Sequence, residues 1–385
     1  MRVRNGRFLA AGAAGVVAVV LVILLTRPNA GPRRTSSPSG TAAALASGAA
    51  RSTSLGVAPE RGTMAPGGTP TTPGQASAAA TQAVATPATA PATARPNRTP
   101  RPTPKPTPRP TPEPTPRPTR PPTVVLVGAG DIGDCNSNGD SKTADIIEGV
   151  AGTVFTLGDN AYEHGTTQEF NDCYDPTWGR FLSRTRPSPG NHEYQTAGAR
   201  PYYAYFGDRA GPAGRGYYAY TRGAWRIYSL NSNCSDIGGC GNGSAQLAWL
   251  RADLAAHPGG CAMAYWHAPR YSSGPHGNAA SMDPIWDTLY DAGVELVVAG
   301  HDHDYERFAP LNAGGNVSAR GITSFVVGTG GREFYEFGPP VNGSRVRKTD
   351  TWGVLRLTLA PDGWSSRFLA VAGDSFTDTA RGTCH

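Results

Sequence analysis

The sequence predicts an α/β domain over residues 123–385. Six short apolar runs, typical of buried strands, alternate there with stretches that have the 3–4 spacing of amphipathic helices. Nearly all the aromatic residues fall in this part of the chain, which is long enough to bury a sizeable core. Polar residues follow directly after several of the runs, as they do where ligands bind at the carboxyl ends of strands.

The predicted strands and helices alternate along the chain. The strand candidates are residues 124–127, 154–157, 225–230, 262–266, 294–298 and 322–327. The helix candidates are residues 141–150, 169–182, 244–256 and 282–292. In the third of these, Leu247, Leu250 and Leu254 share one face. Residues 353–359 and 364–371 flank a Pro-Asp-Gly turn, which predicts a hairpin.

The N-terminal segment, residues 1–26, is predicted to be a membrane segment. Arg2, Arg4 and Arg7 precede an apolar run at residues 8–25, whose 18 residues just reach the length of a spanning helix. We expect an uncleaved signal-anchor, and the alternative is a cleaved signal peptide. Either one predicts an extracytoplasmic protein that is membrane-anchored or secreted.

Residues 27–122 are predicted to be a disordered linker rich in Pro, Thr and Ala. Residues 9–122 contain no Phe, Tyr, Trp or Cys but hold 22 of the 35 prolines, so they cannot bury enough apolar surface to fold. Proline occupies every even-numbered position from Pro100 to Pro118, which favours an extended polyproline II stalk. The alternatives are an unselective linker or a ligand for a proline-binding domain.

Charge separates the two parts of the chain. Residues 1–122 carry 15 Lys and Arg against 2 Asp and Glu, whereas residues 123–385 carry 20 against 27. The folded part is therefore at −7, which argues against a nucleic-acid-binding surface. The basic stalk is instead expected to meet an anionic membrane or a cell-wall polymer.

All six cysteines fall in the predicted domain, at positions 135, 173, 234, 240, 261 and 384. An even number in an exported domain predicts disulfides. The local pair Cys234–Cys240 is the one pairing that the spacing favours, since a short loop joins the two residues. A second zinc site on the cysteines is the alternative.

Five short polar clusters are predicted to form a cage for two metal ions. Each cluster alone is weak, because an Asp after a strand is often a helix cap. Together they are costly to bury without cations. The candidate ligands are Asp131, Asp159, Tyr162, Asn191, His267, His301 and His303. Two cations about 3.5–4 Å apart can activate a water and neutralise a phosphate, which predicts a metal-dependent phosphoester hydrolase.

These clusters resemble those of the calcineurin-like metallophosphoesterases, and within that superfamily those of the purple acid phosphatases. The resemblance implies a four-layer α-β-β-α sandwich with two mixed sheets. It assigns Asp131, Asp159, Tyr162 and His303 to a first metal. It assigns Asn191, His267 and His301 to a second metal, with Asp159 bridging the two.

Tyr162 carries the likeness to the purple acid phosphatases. Most of the superfamily begins with Asp-x-His, whereas this chain has Asp131-Ile-Gly and offers Tyr162 instead. A phenolate is a hard anionic donor, so the first site should hold Fe(III) and the protein should be coloured. The second site suits Fe(II), Zn(II) or Mn(II). The alternative is a core tyrosine beside a site loaded with other ions, such as Mn(II).

Four further residues are predicted to handle the substrate, a phosphomonoester attacked by a metal-activated hydroxide. His192 is expected to contact the phosphate or to protonate the leaving alkoxide. Glu193 is expected to orient His192. His276 is a candidate acid or phosphate contact, against an exposed loop histidine as the alternative. Arg270 is a candidate for added positive charge.

Two other functions remain open at this point. A phosphodiesterase or nucleotidase would use the same metals on a different ester. A surface-displayed binding protein that kept the metal cage without catalysis is a third possibility, against which the complete ligand set argues.

Overall fold

The structure is a computed structural model that describes Arg101 and residues 120–385. The apolar run at residues 8–25 and nearly all of the Pro-rich linker lie outside these described residues. Within residues 120–385, no helix is both long enough and apolar enough to cross a membrane.

Six strands form the first mixed sheet. They are β1 (Val124–Ala129), β2 (Thr153–Leu157), β3 (Thr185–Ser188), β11 (Gly353–Ala360), β12 (Gly363–Ala370) and β13 (Thr379–Thr383). Their order across the sheet is β13-β12-β11-β1-β2-β3. Strands β1, β2 and β3 run parallel, whereas β11, β12 and β13 pair antiparallel.

Seven strands form the second mixed sheet. They are β4 (Tyr218–Arg222), β5 (Trp225–Ser229), β6 (Ala262–Tyr265), β7 (Leu296–Ala299), β8 (Tyr305–Phe308), β9 (Thr323–Val327) and β10 (Ser344–Lys348). Their order is β10-β8-β9-β7-β6-β5-β4. Strands β5, β6, β7 and β9 are parallel, and the other three pair antiparallel to their neighbours.

Helices connect the strands. The α-helices are α1 (Gly139–Glu148), α2 (Thr167–Glu169), α3 (Asn191–Gln195), α4 (Arg200–Phe206), α5 (Ala245–Ala256) and α6 (Asp283–Asp291). A π-helical turn spans Phe170–Tyr174. Short 3₁₀ helices span Trp178–Arg184, Ala197–Ala199, Gly207–Ala210 and Ala280–Met282.

The two sheets pack face to face around the main core. Phe155 of β2 contacts Tyr265 of β6, with ring centroids 5.6 Å apart, and Tyr305 of β8 lies 4.4 Å from Phe368 of β12. Helix α1 packs against the first sheet, and α5 and α6 cover the outer face of the second. The predicted α/β fold with two mixed sheets is confirmed, with its layers in the order helix, sheet, sheet, helix.

The predicted elements differ from the observed ones mainly at the sheet edges. All six predicted strands and the hairpin are present, with ends shifted by one or two residues. The predicted helix at residues 169–182 is wrong, because it breaks into short pieces around Pro176, which has no backbone N–H to donate. The sequence did not predict strands β3, β4, β8, β10 and β13. All of these except β8 lie at sheet edges, and charged or hydroxyl residues interrupt each of the five, so none contains a continuous apolar run.

All six cysteines form disulfides: Cys135–Cys173, Cys234–Cys240 and Cys261–Cys384. The predicted local pair is confirmed, and the alternative of a zinc site on the cysteines is wrong. The third bond ties the last residues of the chain to the start of β6.

Glu295 lies beside this third disulfide, is buried, and forms no salt bridge with any residue between positions 120 and 385. Its carboxylate accepts hydrogen bonds from the backbone N–H groups of Ala262, at 2.7 Å, and His385, at 3.2 Å. Burial outweighs both bonds and raises the pKa of Glu295 from its usual 4.5 to about 7. Between these values the folded state binds more protons than the unfolded state, so stability falls as the pH rises.

We therefore expect the free energy of unfolding to drop between pH 4.5 and 7, by about 3 kcal/mol through this group alone. Urea unfolding of the disulfide-bonded protein across this range, beside Glu295→Gln, measures the contribution. In the variant, the part of the decrease in the free energy of unfolding that Glu295 causes should be absent. An identical slope in both proteins would show that Glu295 ionises freely in the folded state.

Candidate metal centre

The predicted ligands come together at one end of the two sheets. Asp131 follows β1, Asp159 and Tyr162 follow β2, and Asn191 follows β3. His267 follows β6, and His301 and His303 follow β7. The parallel strands of both sheets thus end at a common site, and all seven side chains meet there.

Four of these side chains form a first set of donors around the hydroxyl of Tyr162. The Tyr162 oxygen lies 2.9 Å from Asp131 Oδ1, 3.1 Å from Asp159 Oδ2 and 3.2 Å from His303 Nε2. Tyr162 is almost fully buried, as are the two carboxylates and His303.

The second set of donors surrounds His267. Its Nε2 atom lies 3.2 Å from Asp159 Oδ2, 2.9 Å from Asn191 Oδ1 and 3.0 Å from His301 Nδ1. Asp159 Oδ2 therefore belongs to both sets. It is the single atom that joins them.

Backbone groups fix the direction of each carboxylate. The N–H of His301 donates to Asp131 Oδ2 at 2.9 Å, and the N–H of His192 donates to Asp159 Oδ1 at 2.9 Å. Each carboxylate therefore turns its other oxygen toward the site. Gly190 makes this approach possible, because a Cβ at that position would lie 2.1 Å from Asp159 Oδ1.

The imidazole rings of His267 and His303 are each held by a backbone carbonyl at the Nδ1 atom. His267 Nδ1 donates to the carbonyl of Leu157 at 2.7 Å, and His303 Nδ1 donates to that of Glu333 at 2.8 Å. Their Nε2 atoms face the site and are the ligand atoms that a metal would use. Burial opposes ionisation of His267, but the charge of Asp159 outweighs it and raises the pKa of His267 to about 9, so a bound cation would have to displace the proton from this Nε2. Burial and the positive charge of His267 lower the pKa of His301 to about 4, so the His301 ring is neutral.

The donor set fits two cations. Lone-pair atoms of carboxylates, imidazoles and an amide face one another at about 3 Å, and they outnumber the protons available to bridge them. Burial, followed by the charges of Asp131 and Asp159, raises the pKa of Tyr162 well above its usual value. Its phenol would ionise here only beside a strong positive charge.

Glu193 does not orient His192, so that prediction is wrong. Its buried carboxylate accepts the backbone N–H groups of Asp159, at 3.0 Å, Asn160, at 2.7 Å, and Gly190, at 2.6 Å. Glu193 thus clamps the turn after β2 to the start of α3. Its effect is on the position of Asp159 and not on the histidine next to it.

His192 lies at the edge of the first set. Its ring centroid is 4.5 Å from that of Tyr162, and its Nε2 atom is 3.8 Å from Asp159 Oδ2. Its Nδ1 atom donates to the carbonyl oxygen of Glu163 at 2.5 Å. The backbone carbonyl of Glu163 therefore holds the His192 ring, which is the role that was expected of Glu193. Glu163 directly follows Tyr162, and nothing in the sequence around it indicated this contact.

His276 reaches the second set from its loop. Its ring lies 4.1 Å from that of His301, and its Nδ1 atom is 3.0 Å from Asp302 Oδ1. Asp302 is fully buried and also accepts the backbone N–H of His276 at 2.9 Å. The side chain of His276 is 42% exposed, so it is held by an acid and still open to solvent.

Arg270 does not contact the other predicted site residues. Its guanidinium pairs with Asp283 at the start of α6 and lies over the ring of Tyr271. A different arginine is near the site: Arg332 lies 4.6 Å from the ring centroid of Tyr162 and bonds Asp134 at 2.9 Å. Tyr335, stacked at 4.0 Å on His303, was also missed.

A cavity of about 550 Å³ adjoins the second set of donors. Asn191, His267 and His301 form one side of it, and the loop closed by Cys234–Cys240 forms another. Its other lining side chains are mostly amides and hydroxyls, with Asp236 as the carboxylate. The cavity offers room for an organic group next to the donors.

Residues 124–305 match the family model of calcineurin-like phosphoesterases. An uncharacterized protein of Mycobacterium tuberculosis is 32% identical over 147 residues, covering 32% of this chain and 28% of that protein. Purple acid phosphatase 15 of Arabidopsis thaliana is 25% identical over 215 residues, covering 46% of this chain and 40% of that enzyme. The chain thus spans less than half the length of these curated relatives.

Solved structures share the fold. Purple acid phosphatase PPD1 from yellow lupin superposes with a TM-score of 0.55 at 18% identity, covering 69% of this chain and 55% of that one. GAP50, described as the anchor in the inner membrane complex of Plasmodium, gives a TM-score of 0.54 at 13% identity, covering 68% and 89%. At these identities the likeness shows the architecture alone.

Proposed function

The chain carries a calcineurin-like phosphoesterase domain, and from that premise we propose that it hydrolyses phosphomonoesters at a centre of two metal ions. The observation that supports this most is the position of Asp159 Oδ2, 3.1 Å from the Tyr162 hydroxyl and 3.2 Å from His267 Nε2. One carboxylate oxygen shared by two donor sets is the arrangement that a bridged metal pair needs.

Seven residues would hold the metals. Asp131, Tyr162 and His303 would bind one ion, and Asn191, His267 and His301 the other, with Asp159 between them. Ions bound in this way would supply an activated water nucleophile and neutralise the charge of the phosphate. With its phenolate, the first set suits Fe(III), and the second suits Fe(II), Zn(II) or Mn(II).

His192 and His276, which lie at the edges of the two donor sets, would bind the phosphate and protonate the leaving group. His192 Nδ1 is used by the Glu163 carbonyl, so Nε2 is the atom free to hold a phosphate oxygen. His276 Nδ1 is used by Asp302, so its Nε2 atom can give a proton to the leaving oxygen as the phosphorus–oxygen bond breaks. Asp302 would act as a positioning residue, because it keeps that ring in place.

We expect His276→Ala to lower kcat about a hundredfold on an alkyl phosphate, since its alkoxide needs a proton to leave. Metal content should not change, because His276 is not among the seven donors. The matched control is His257→Ala at the end of α5, a histidine whose ring bonds Asp253. Equal kcat for His276→Ala and the control would show that His276 is an exposed loop residue with no role in the reaction.

Assays of the metal-loaded chain test the function itself. We expect turnover of para-nitrophenyl phosphate, and little turnover of the corresponding bis-ester. The cavity beside the second set could hold the second ester group of a diester, which keeps a phosphodiesterase or nucleotidase as the other candidate. Turnover of the bis-ester alone would favour that candidate. No hydrolysis of either ester by metal-replete protein would favour a binding protein without catalysis.

We also propose that the domain works outside the cytoplasm, held by its N-terminal segment. Three disulfides among residues 120–385 support an oxidising compartment. The apolar run at residues 8–25 and the basic Pro-rich segment support a membrane anchor and a stalk near a cell wall. Protease digestion of intact cells would release the domain, whereas full protection would contradict an exposed location.

A further inference from the structure

Three arginines on the first sheet form a second charged feature, which we call the arginine face: Arg356 on β11, Arg367 on β12 and Arg381 on β13. Arg356 pairs directly with Arg367, and Arg381 pairs with Ser365, two residues before Arg367. Residues that are opposite one another, or two apart on a strand, share a face of the sheet. We propose that this face binds linear polyphosphate.

The arrangement is electrostatically unfavourable by itself. Like charges directly opposite in an antiparallel pair are destabilising, and Arg356 and Arg367 occupy such a pair. All three arginines are exposed, and within residues 120–385 none of them forms a salt bridge. The repulsion is therefore uncompensated inside the described part of the chain, and an external anion would relieve it.

The space between the arginines suits phosphate groups. A cavity of about 570 Å³ is lined by all three guanidinium side chains and by the hydroxyl residues Thr358, Ser365 and Thr379. No lining residue carries a carboxylate. Guanidinium groups bind phosphate through two parallel N–H donors, and hydroxyls can bond the remaining oxygens.

The spacing favours a chain of phosphates over a single one. Neighbouring strands are about 4.8 Å apart, so the arginines of β11 and β13 start about 10 Å from each other. A chain of phosphates can bond each guanidinium group separately, whereas a single phosphate would have to draw these like charges together. The lining residues include no aromatic side chain, and single-stranded nucleic acids normally require aromatic platforms for their bases. A phosphate polymer without bases fits these features best.

The arginine face is separate from the metal centre. The pairing of β11 with β1 puts Arg356 opposite Val127, and the strand continues from there toward the end of β1 away from Asp131. The proposal therefore does not depend on the hydrolytic activity. It adds a binding site for an anionic polymer to a domain whose net charge, from 20 basic and 27 acidic residues, is negative.

Hydrogen exchange of the full-length chain tests this proposal. The basic N-terminal segment would also bind polyphosphate, so the readout must be local to β11, β12 and β13. With linear polyphosphate added, amides of residues 353–383 should exchange about tenfold more slowly or better in the wild type. Added salt should reduce this protection, because the contacts are ionic.

Two triple variants complete the test. Arg356→Ser with Arg367→Ser and Arg381→Ser should lose the protection yet keep the far-ultraviolet circular dichroism spectrum and the cooperative unfolding transition of the wild type, which report that it is folded. The charge-matched control, Arg200→Ser with Arg320→Ser and Arg345→Ser, should keep the protection. No protection in the wild type, or equal protection in both variants, would overturn the proposal. Equal protection by a single-stranded DNA of the same charge would overturn the choice of polyphosphate.

Discussion

Asp159→Asn will release both metals and lower kcat at least about a thousandfold. The shared oxygen of Asp159 lies within 3.2 Å of a donor in each set, so neutralising it weakens both sites together. Two metal ions held in this way would supply several kcal/mol of transition-state stabilisation, and each 1.4 kcal/mol is about tenfold in rate. Metal analysis and para-nitrophenyl phosphate turnover of the same preparation measure both effects.

Asp140→Asn is the matched control for this variant. Asp140 is also a buried carboxylate, but it lies on α1 and accepts bonds from Ser141 and Thr177. Burial raises the pKa of Asp140 to about 6, so the neutral amide should be tolerated there. A folded Asp159→Asn protein with two metals per chain would contradict the bridging role.

Tyr162→Phe will remove the visible absorption of the iron-loaded protein and leave its fold intact. The ring of Tyr162 packs against His192 and under Arg332, and Phe preserves these contacts. Only the hydroxyl is lost, and with it the phenolate whose charge transfer to Fe(III) would colour the protein. An absorption spectrum of each protein, at equal iron content, gives the result.

Tyr335→Phe provides the control for the colour. Tyr335 stacks on His303, with ring centroids 4.0 Å apart, but its hydroxyl is not among the donors. This variant should stay as coloured as the wild type. A wild type that binds iron without colour would assign Tyr162 to the core, beside ions of another kind such as Mn(II).

The positions of the seven donors could be predicted because their signal is local. Asp131, Asp159 and His267 each come directly after a buried strand, and parallel strands bring their carboxyl ends to the same edge. The edge strands gave no such signal. Strand β10, for example, alternates between half-buried and exposed residues and has no apolar run.

The residues that hold His192 and His276 could not be predicted from such local signals. Glu193 follows His192 in sequence, yet its side chain turns to the backbone of Asp159 and Asn160. Asp302 and His276 are 26 residues apart and meet only because their loops pack together. Side-chain direction in a turn depends on tertiary packing, which spacing along the chain does not report.

Anomalous diffraction from crystals of the metal-loaded chain tests the metal pair most directly. We expect two peaks about 3.5–4 Å apart, with the Asp159 carboxylate between them and Tyr162 bound to the one that is iron. A single peak, or peaks elsewhere in the molecule, would contradict a dinuclear centre at these residues.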